Sequence, residues 1–159
     1  MIKFPQSTKQ DIVKILDIEL PVAIRDYDKT SDEDFLYSTW MKSYSESSWG
    51  RSIPVPLYNI GQRKRIDRIM ENPKTYILVA CQEGTPELIF GYMVGELPSI
   101  IHYLYVKNAY RNSGIAHRLL YHLGNSPIIT YTHKPKDIYV GNKLKELDHW
   151  IYNPYLLER

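Results

Sequence analysis

A chain of 159 residues with 43% hydrophobic side chains is long enough to bury one core and too apolar for global disorder. Its 20 basic and 18 acidic side chains leave a formal charge of +2, too little to imply a nucleic-acid partner. The single cysteine, Cys81, excludes an internal disulfide and a cysteine-based zinc site, and no apolar run reads as a signal peptide or membrane span, so the expectation is one cytoplasmic domain over residues 1–159.

In chain order, "QDIVKILDI" suggests a short helix with Ile12, Ile15, Leu16 and Leu20 apolar, and "LPVAIRDY" (20–27) a first strand. "TSDEDFLYSTWMKSYSES" (30–47) has helix signals: Ser31 as cap, acidic residues in the first turn, and a stripe of Phe35, Trp40, Met41 and Tyr44. Residues 49–56 carry two prolines and read as a loop. Residues 59–73 predict a second helix with Ile60, Ile66, Ile69 and Met70 inward. Its opposite side holds Arg63, Lys64, Arg65 and Arg68, either a solvated face or a patch for an anionic partner.

Three strands follow at 75–81, 87–97 and 99–106, joined closely enough to be antiparallel neighbours. "GIAHRLLYHLG" (114–124) is an amphipathic helix ending on glycine. Residues 127–133 read as a strand, 137–147 as a helix and 149–157 as a last extended piece. This order predicts an α/β fold, an α+β mixed sheet with helices on its faces. A right-handed parallel crossover links strand 99–106 to strand 127–133. The 14 tyrosines suit either a core with polar tips or a binding surface.

Chemistry concentrates where strand 99–106 hands over to the next helix. Arg111-x-x-Gly114-x-Ala116 places backbone N–H groups at the positive end of that helix, where a phosphate is the natural guest. Gly114 lets the ligand approach the backbone, Ala116 keeps the first turn slim, and Arg111 adds charge. Ser113 suits either a helix cap or a phosphate contact. The alternative for the whole stretch is a plain turn. Neither G-x-G-x-x-G nor G-K-[ST] is present, so it is neither a dinucleotide fingerprint nor a Walker loop. His117 and His122 lie five apart with no carboxylate pattern, so no metal site is expected.

The stretch "YVKNAYRNSGIAHRLL" resembles motif A of the GNAT superfamily of N-acetyltransferases, and the order of elements is similar to the whole GNAT fold. "STWMKSY", "HYLYVKNAYRNSGIA", "TH" (132–133) and "YNPYLL" also resemble small GNAT-like proteins of bacteriophages. The resemblance implies acetyl-CoA in a wedge between two splayed strands. Its pyrophosphate would lie on Arg111, Asn112, Ser113, Gly114, Ile115 and Ala116, and its pantetheine along the backbone of Leu104, Tyr105 and Val106. Asn142 matches the asparagine that many members place beside the pantetheine arm. Residues 38–54 would wall the acceptor site.

An acceptor amine must lose a proton, and a leaving thiolate needs a donor. Many members carry a glutamate where this chain has Ser99–Val106. Alternation there puts Ile100, His102 and Leu104 on one face, making His102 either a base or a hydrogen-bonded core histidine. Glu96 is a second candidate, or an exposed strand-end carboxylate. His133, at a strand C-terminus, lines the acetyl or acceptor site or serves a turn before Pro135. Tyr139 is a candidate acid. The function expected is an acetyl-CoA-dependent N-acetyltransferase acting on a primary amine of a small molecule or protein. The alternative is an inactive GNAT-like virion or host-interaction module, partnered with a host or phage protein.

Overall fold

The computed structural model describes residues 11–15, 18–124, 126–135 and 148–159. Among these residues seven strands form one sheet in chain order: β1 (Asp11–Ile15), β2 (Ile18–Asp26), β3 (Thr75–Gln82), β4 (Thr85–Glu96), β5 (Ile100–Val106), β6 (Ile129–Tyr131) and β7 (Trp150–Tyr152). Pairs from β1 to β5 are antiparallel, and β5–β6 and β6–β7 are parallel. The mixed sheet and the parallel step after β5 are those expected.

The expected helix at the N-terminus is a strand instead. β1 folds back on β2 with Ile15 opposite Ile18. "DIVKI" is rich in β-branched residues, whose stiff side chains suit a pleated edge better than a helix. The segment 137–147, including Tyr139 and Asn142, lies outside the described residues.

Four α-helices lie among the described residues: α1 (Lys29–Ser45), α2 (Ser48–Arg51), α3 (Val55–Glu71) and α4 (Ile115–Tyr121). The cap of α1 is Asp28, not Ser31. The Asp28 side chain accepts from the Thr30 amide at 2.9 Å, while Ser31 donates to Asp32 at 3.1 Å. Asp32 is buried and holds Arg25 through contacts of 2.6 and 2.9 Å, tying α1 to β2. The proline stretch expected as a loop contains α2 and the first turn of α3. Pro56 sits there because a first-turn residue needs no N–H partner. Ile60, expected inward, is 59% exposed; the inner stripe of α3 is Tyr58, Gln62, Ile66 and Ile69.

Alternation along β3 feeds two cores. Tyr76, Leu78 and Ala80 face a largely aliphatic cluster with Phe90, Met93, Ile101 and, from α4, Ile115 and Leu119. Ile77 and Val79 face a second cluster built on Leu36, Tyr37, Trp40, Tyr44, Tyr58 and Tyr92, beneath α1 and α3. Several of the tyrosines are therefore core, with hydroxyls held by the protein: Tyr37 to Asp67 at 2.7 Å, Tyr58 to the Met41 carbonyl at 2.7 Å, and Tyr92 to the Leu36 carbonyl at 3.2 Å. None of the described helices is long and apolar enough to cross a membrane.

Candidate active site

The short strand β6 meets β5 only where β5 begins. They pair at Ile100–Thr130 and Ile101–Tyr131, and the Thr132 amide makes a closing bond to the Ile101 carbonyl at 3.1 Å. β5 continues to Val106 alongside β4. The register of β5 against β4 changes just beyond these pairs. Tyr103 faces Val94 and Ile101 faces Gly95, so His102 is the extra residue of a bulge. A bulge adds twist and bends its strand away from a neighbour.

The bulge also redistributes side chains. Ile101, Leu104 and Val106 pack with the α4 core, while Tyr103 and Tyr105 pack with the α1–α3 core. His102 and Leu104 therefore do not follow the simple alternation expected of them. Leu104, Tyr105 and Val106, the residues expected along the pantetheine, lie in the part of β5 beyond the β6 pairs. The Val106 carbonyl accepts from Arg111 Nε at 3.0 Å.

After β5 the chain makes a 3₁₀ turn at Asn108–Tyr110 and reaches the Arg111–Ala116 loop. Asn112 and Gly114 take positive φ, 61° and 84°. Only a residue without Cβ adopts the latter cheaply, and a Cβ at Gly114 would meet open space. Gly114 precedes the first turn of α4, and no side chain caps that turn. Ser113 does not serve as the cap: its Oγ donates to the Tyr110 carbonyl. Arg111, Asn112 and Gly114 are exposed, whereas Ile115 is buried and anchors the helix beside Leu119. His117 is exposed too. Uncapped amides, an open glycine and an exposed arginine fit an anionic phosphate group.

Beside the β5–β6 pairs the structure joins three of the residues singled out as acid–base candidates. His102 Nε2 lies 2.8 Å from Glu96 Oε2, and His102 Nδ1 lies 3.0 Å from Thr132 Oγ1. The same hydroxyl is 3.0 Å from His133 Nδ1, and His133 Nε2 is 3.0 Å from Gln62 Nε2. Arg159 Nη2 closes the other end, 2.9 and 3.1 Å from the two Glu96 oxygens. Glu96 and His102 are each 2% exposed, so Glu96 is not a solvent-facing strand end. His133 is packed in rings, 4.6 Å from Tyr44, 5.4 Å from Trp40 and 5.8 Å from Tyr103 between centroids.

This burial sets the charges. The hydrogen bond from His102, with the nearby Arg159, holds the Glu96 carboxyl below its ordinary range. Burial pushes His133 well below the ordinary histidine value, and electrostatic interaction with His102 and Arg65 pushes the same way. Burial raises the Tyr103 hydroxyl to about 12, so it stays a neutral partner of Ser43.

No protein-family model matches this chain, and no curated protein matches it either. One solved structure similar to it carries the description "A unique GCN5-related glucosamine N-acetyltransferase region exist in the fungal multi-domain GH3 beta-N-acetylglucosaminidase". The likeness has a TM-score of 0.40 and 15% identity, and covers 63% of this chain and 11% of that one.

Sequence reasoning missed Gln62 and Arg159. Gln62 carried a signal, a polar residue four before Ile66 on the inner stripe of α3. Arg159 carried none, since its partner lies 63 residues away. Residues 38–54, expected as an acceptor wall, contribute to a cleft of about 470 Å³ between α1, α2 and the start of α3. Its charged lining is cationic, Lys42 and Arg51, beside Met41, Ile53 and Tyr58. Among the described residues no three His, Cys, Asp or Glu side chains gather as a metal site.

Proposed function

We propose that the protein is an acetyl-CoA-dependent N-acetyltransferase acting on a primary amine. The observation that carries this reading is the stretch of β5 beyond its last β6 pair, followed by an uncapped, glycine-hinged loop. Arg111, Asn112 and the amides of Gly114, Ile115 and Ala116 would hold the pyrophosphate, with Ser113 shaping the loop through Tyr110. The β5 backbone at Leu104–Val106 would hold the pantetheine as an added strand. Bound acetyl-CoA supplies an activated acetyl thioester. Asn142 and Tyr139 keep the roles the resemblance implies, beside the pantetheine and as acid.

The chain's own part is proton handling and exclusion of water. His102 is the final acceptor of the amine proton, reached through its hydrogen-bonded neighbours because both its ring nitrogens are already paired, and Glu96 opposite it stabilises the imidazolium. Arg159 keeps Glu96 ionised and fixed. The Trp40, Tyr44 and Tyr103 rings keep the β5–β6 junction dry, which strengthens each of these contacts.

Calorimetry with acetyl-CoA and with CoA tests the reading. Both should bind the wild type, and Gly114→Glu should abolish binding; its Cβ meets open space but the φ of 84° strains any side chain there, so Arg111→Ala, which leaves the backbone alone, should weaken binding as the second variant. Absence of binding to the wild type sinks both the cradle and the enzyme. A second reading, a catalytically inactive interaction module of the same fold, is favoured by the burial of Glu96 and His102. It predicts CoA binding without turnover over an amine panel, and a stable complex with a host or phage protein.

A further inference from the structure

We infer that Gln62, His133, Thr132, His102 and Glu96 form a single directional proton relay, with the Gln62 amide as its two-position switch. Hydrogen-bond polarity carries the inference. Ionised Glu96 only accepts, so His102 Nε2 must carry a proton toward it. With His102 neutral, its Nδ1 accepts from the Thr132 hydroxyl. Thr132 Oγ1 has then spent its one proton and accepts from His133 Nδ1–H. His133 Nε2 is left as an acceptor, and the Gln62 amide donates to it. Each group has one role, and one neutral arrangement satisfies all of them.

Adding one proton reverses the chain without moving a ring. A proton arriving at His133 Nε2 releases the Nδ1 proton to Thr132, which passes its own to His102 Nδ1. His102 becomes imidazolium against Glu96. His133 ends neutral with its proton on Nε2, so it now needs an acceptor where it had a donor. Gln62 supplies one by turning its amide over. An independent observation supports that turn: Gln62 is fully buried, and its Oε1 is without a hydrogen-bond partner. One orientation wastes an acceptor and the other a donor, so neither is locked.

The charged and titratable surroundings suit this direction. Tyr44 from α1, Tyr103 from β5 and Arg65 from α3 stand around His133. Arg68 from α3 and Arg159 stand at the Glu96 end. Arg65 beside His133 disfavours a proton there, while the Glu96 carboxylate faces the far end of the chain at His102. A crevice of about 30 Å³ at Glu96 and His102, beneath Leu156 and Leu157, is large enough for one water and gives an outlet. The use of the relay in acetyl transfer rests on the reading above; its existence does not.

The test is two-bond ¹⁵N–¹H correlation on the full chain labelled in histidine, followed across pH. The expected result is His102 in the Nε2–H form and His133 in the Nδ1–H form when neutral. As His102 becomes protonated, His133 should change to Nε2–H in the same step. Thr132→Val should abolish that linked change and Thr132→Ser should keep it. Gln62→Met, which removes both amide roles, should abolish it as well and stands in if Thr132→Val does not fold. A His133 tautomer that ignores the charge of His102 in the wild type overturns the relay, and so does a linked change that survives in a folded Thr132→Val or Gln62→Met. Linked tautomers in a protein that binds no CoA would overturn the acetyltransferase reading alone. Acetyl transfer with unlinked tautomers would overturn the relay alone.

Discussion

The two faces of one sheet are built from different chemistry. Under α4 the core is largely Val, Ile, Leu, Met and Phe; under α1 and α3 aliphatic side chains share it with Tyr37, Trp40, Tyr44, Tyr58 and Tyr92. The first face asks only for packing and carries on its rim a loop whose properties are those of backbone and glycine. The second buries polar tips that must each find a partner, and it holds the ionisable chain from Gln62 to Glu96. A face that has to satisfy buried hydroxyls can also satisfy buried imidazoles and a carboxylate at little extra cost.

The contrast is most easily broken at Trp40, which is fully buried and stacks on Tyr103 at 5.0 Å between centroids. Trp40→Ala should cost about 3–5 kcal/mol in a urea melt. It should also loosen His133, because the same indole packs on that ring. Gly91→Ala comes next. Its Cβ would lie 2.4 Å from the Tyr105 carbonyl oxygen, a backbone atom of β5, so β4 and β5 must move apart. A loss of about 1–3 kcal/mol is expected by the same melt.

Acid should separate the faces, since Glu96, His102 and His133 all lie in the chain along the aromatic one. His133 has a folded pKa below its unfolded one, so the unfolded state binds the extra proton first. The stability from neutral His133 is full above pH about 6.5 and is lost as pH falls below that. Glu96 is also depressed, so its contribution is full above pH about 4.3 and is lost as pH falls through its folded value. The urea midpoint should therefore decline in two stages on acidification, and His133→Asn should remove the upper one. The smallest effect is expected at Arg63. Its 4.0 Å contact with Asp67 is exposed on both sides, so Arg63→Gln should change stability by less than about 1 kcal/mol in the same melt.

Much of the sheet was legible because apolar runs such as "TYILVAC" announce strands buried on both faces. "DIVKI" misled because apolar residues three apart suit a helix as well as a β-branched strand. The site was legible in part. Glu96 and His102 are six residues apart, and a short reversal returns one to the other. Their true partners were not, since Gln62 and Arg159 arrive from α3 and from beyond β7. The face taken by His102 was also hidden, because a bulge leaves no mark in composition.

That bulge makes β5 a strand read in two phases. Residues 100 and 101 keep one beat with β4, and 103 to 106 keep the other, with His102 as the spare count between them. Substituting His102 removes an imidazole. Deleting it would do something else: Ile101 and Tyr103 would become neighbours in a regular ladder, each already on the face that alternation requires, so both cores would keep their side chains while the strand lost its bulge and its bend. The extra residue is thus a removable insertion that serves the site and not the sheet: the fold should survive deletion of His102, and the Glu96–His102–Thr132 contacts should not.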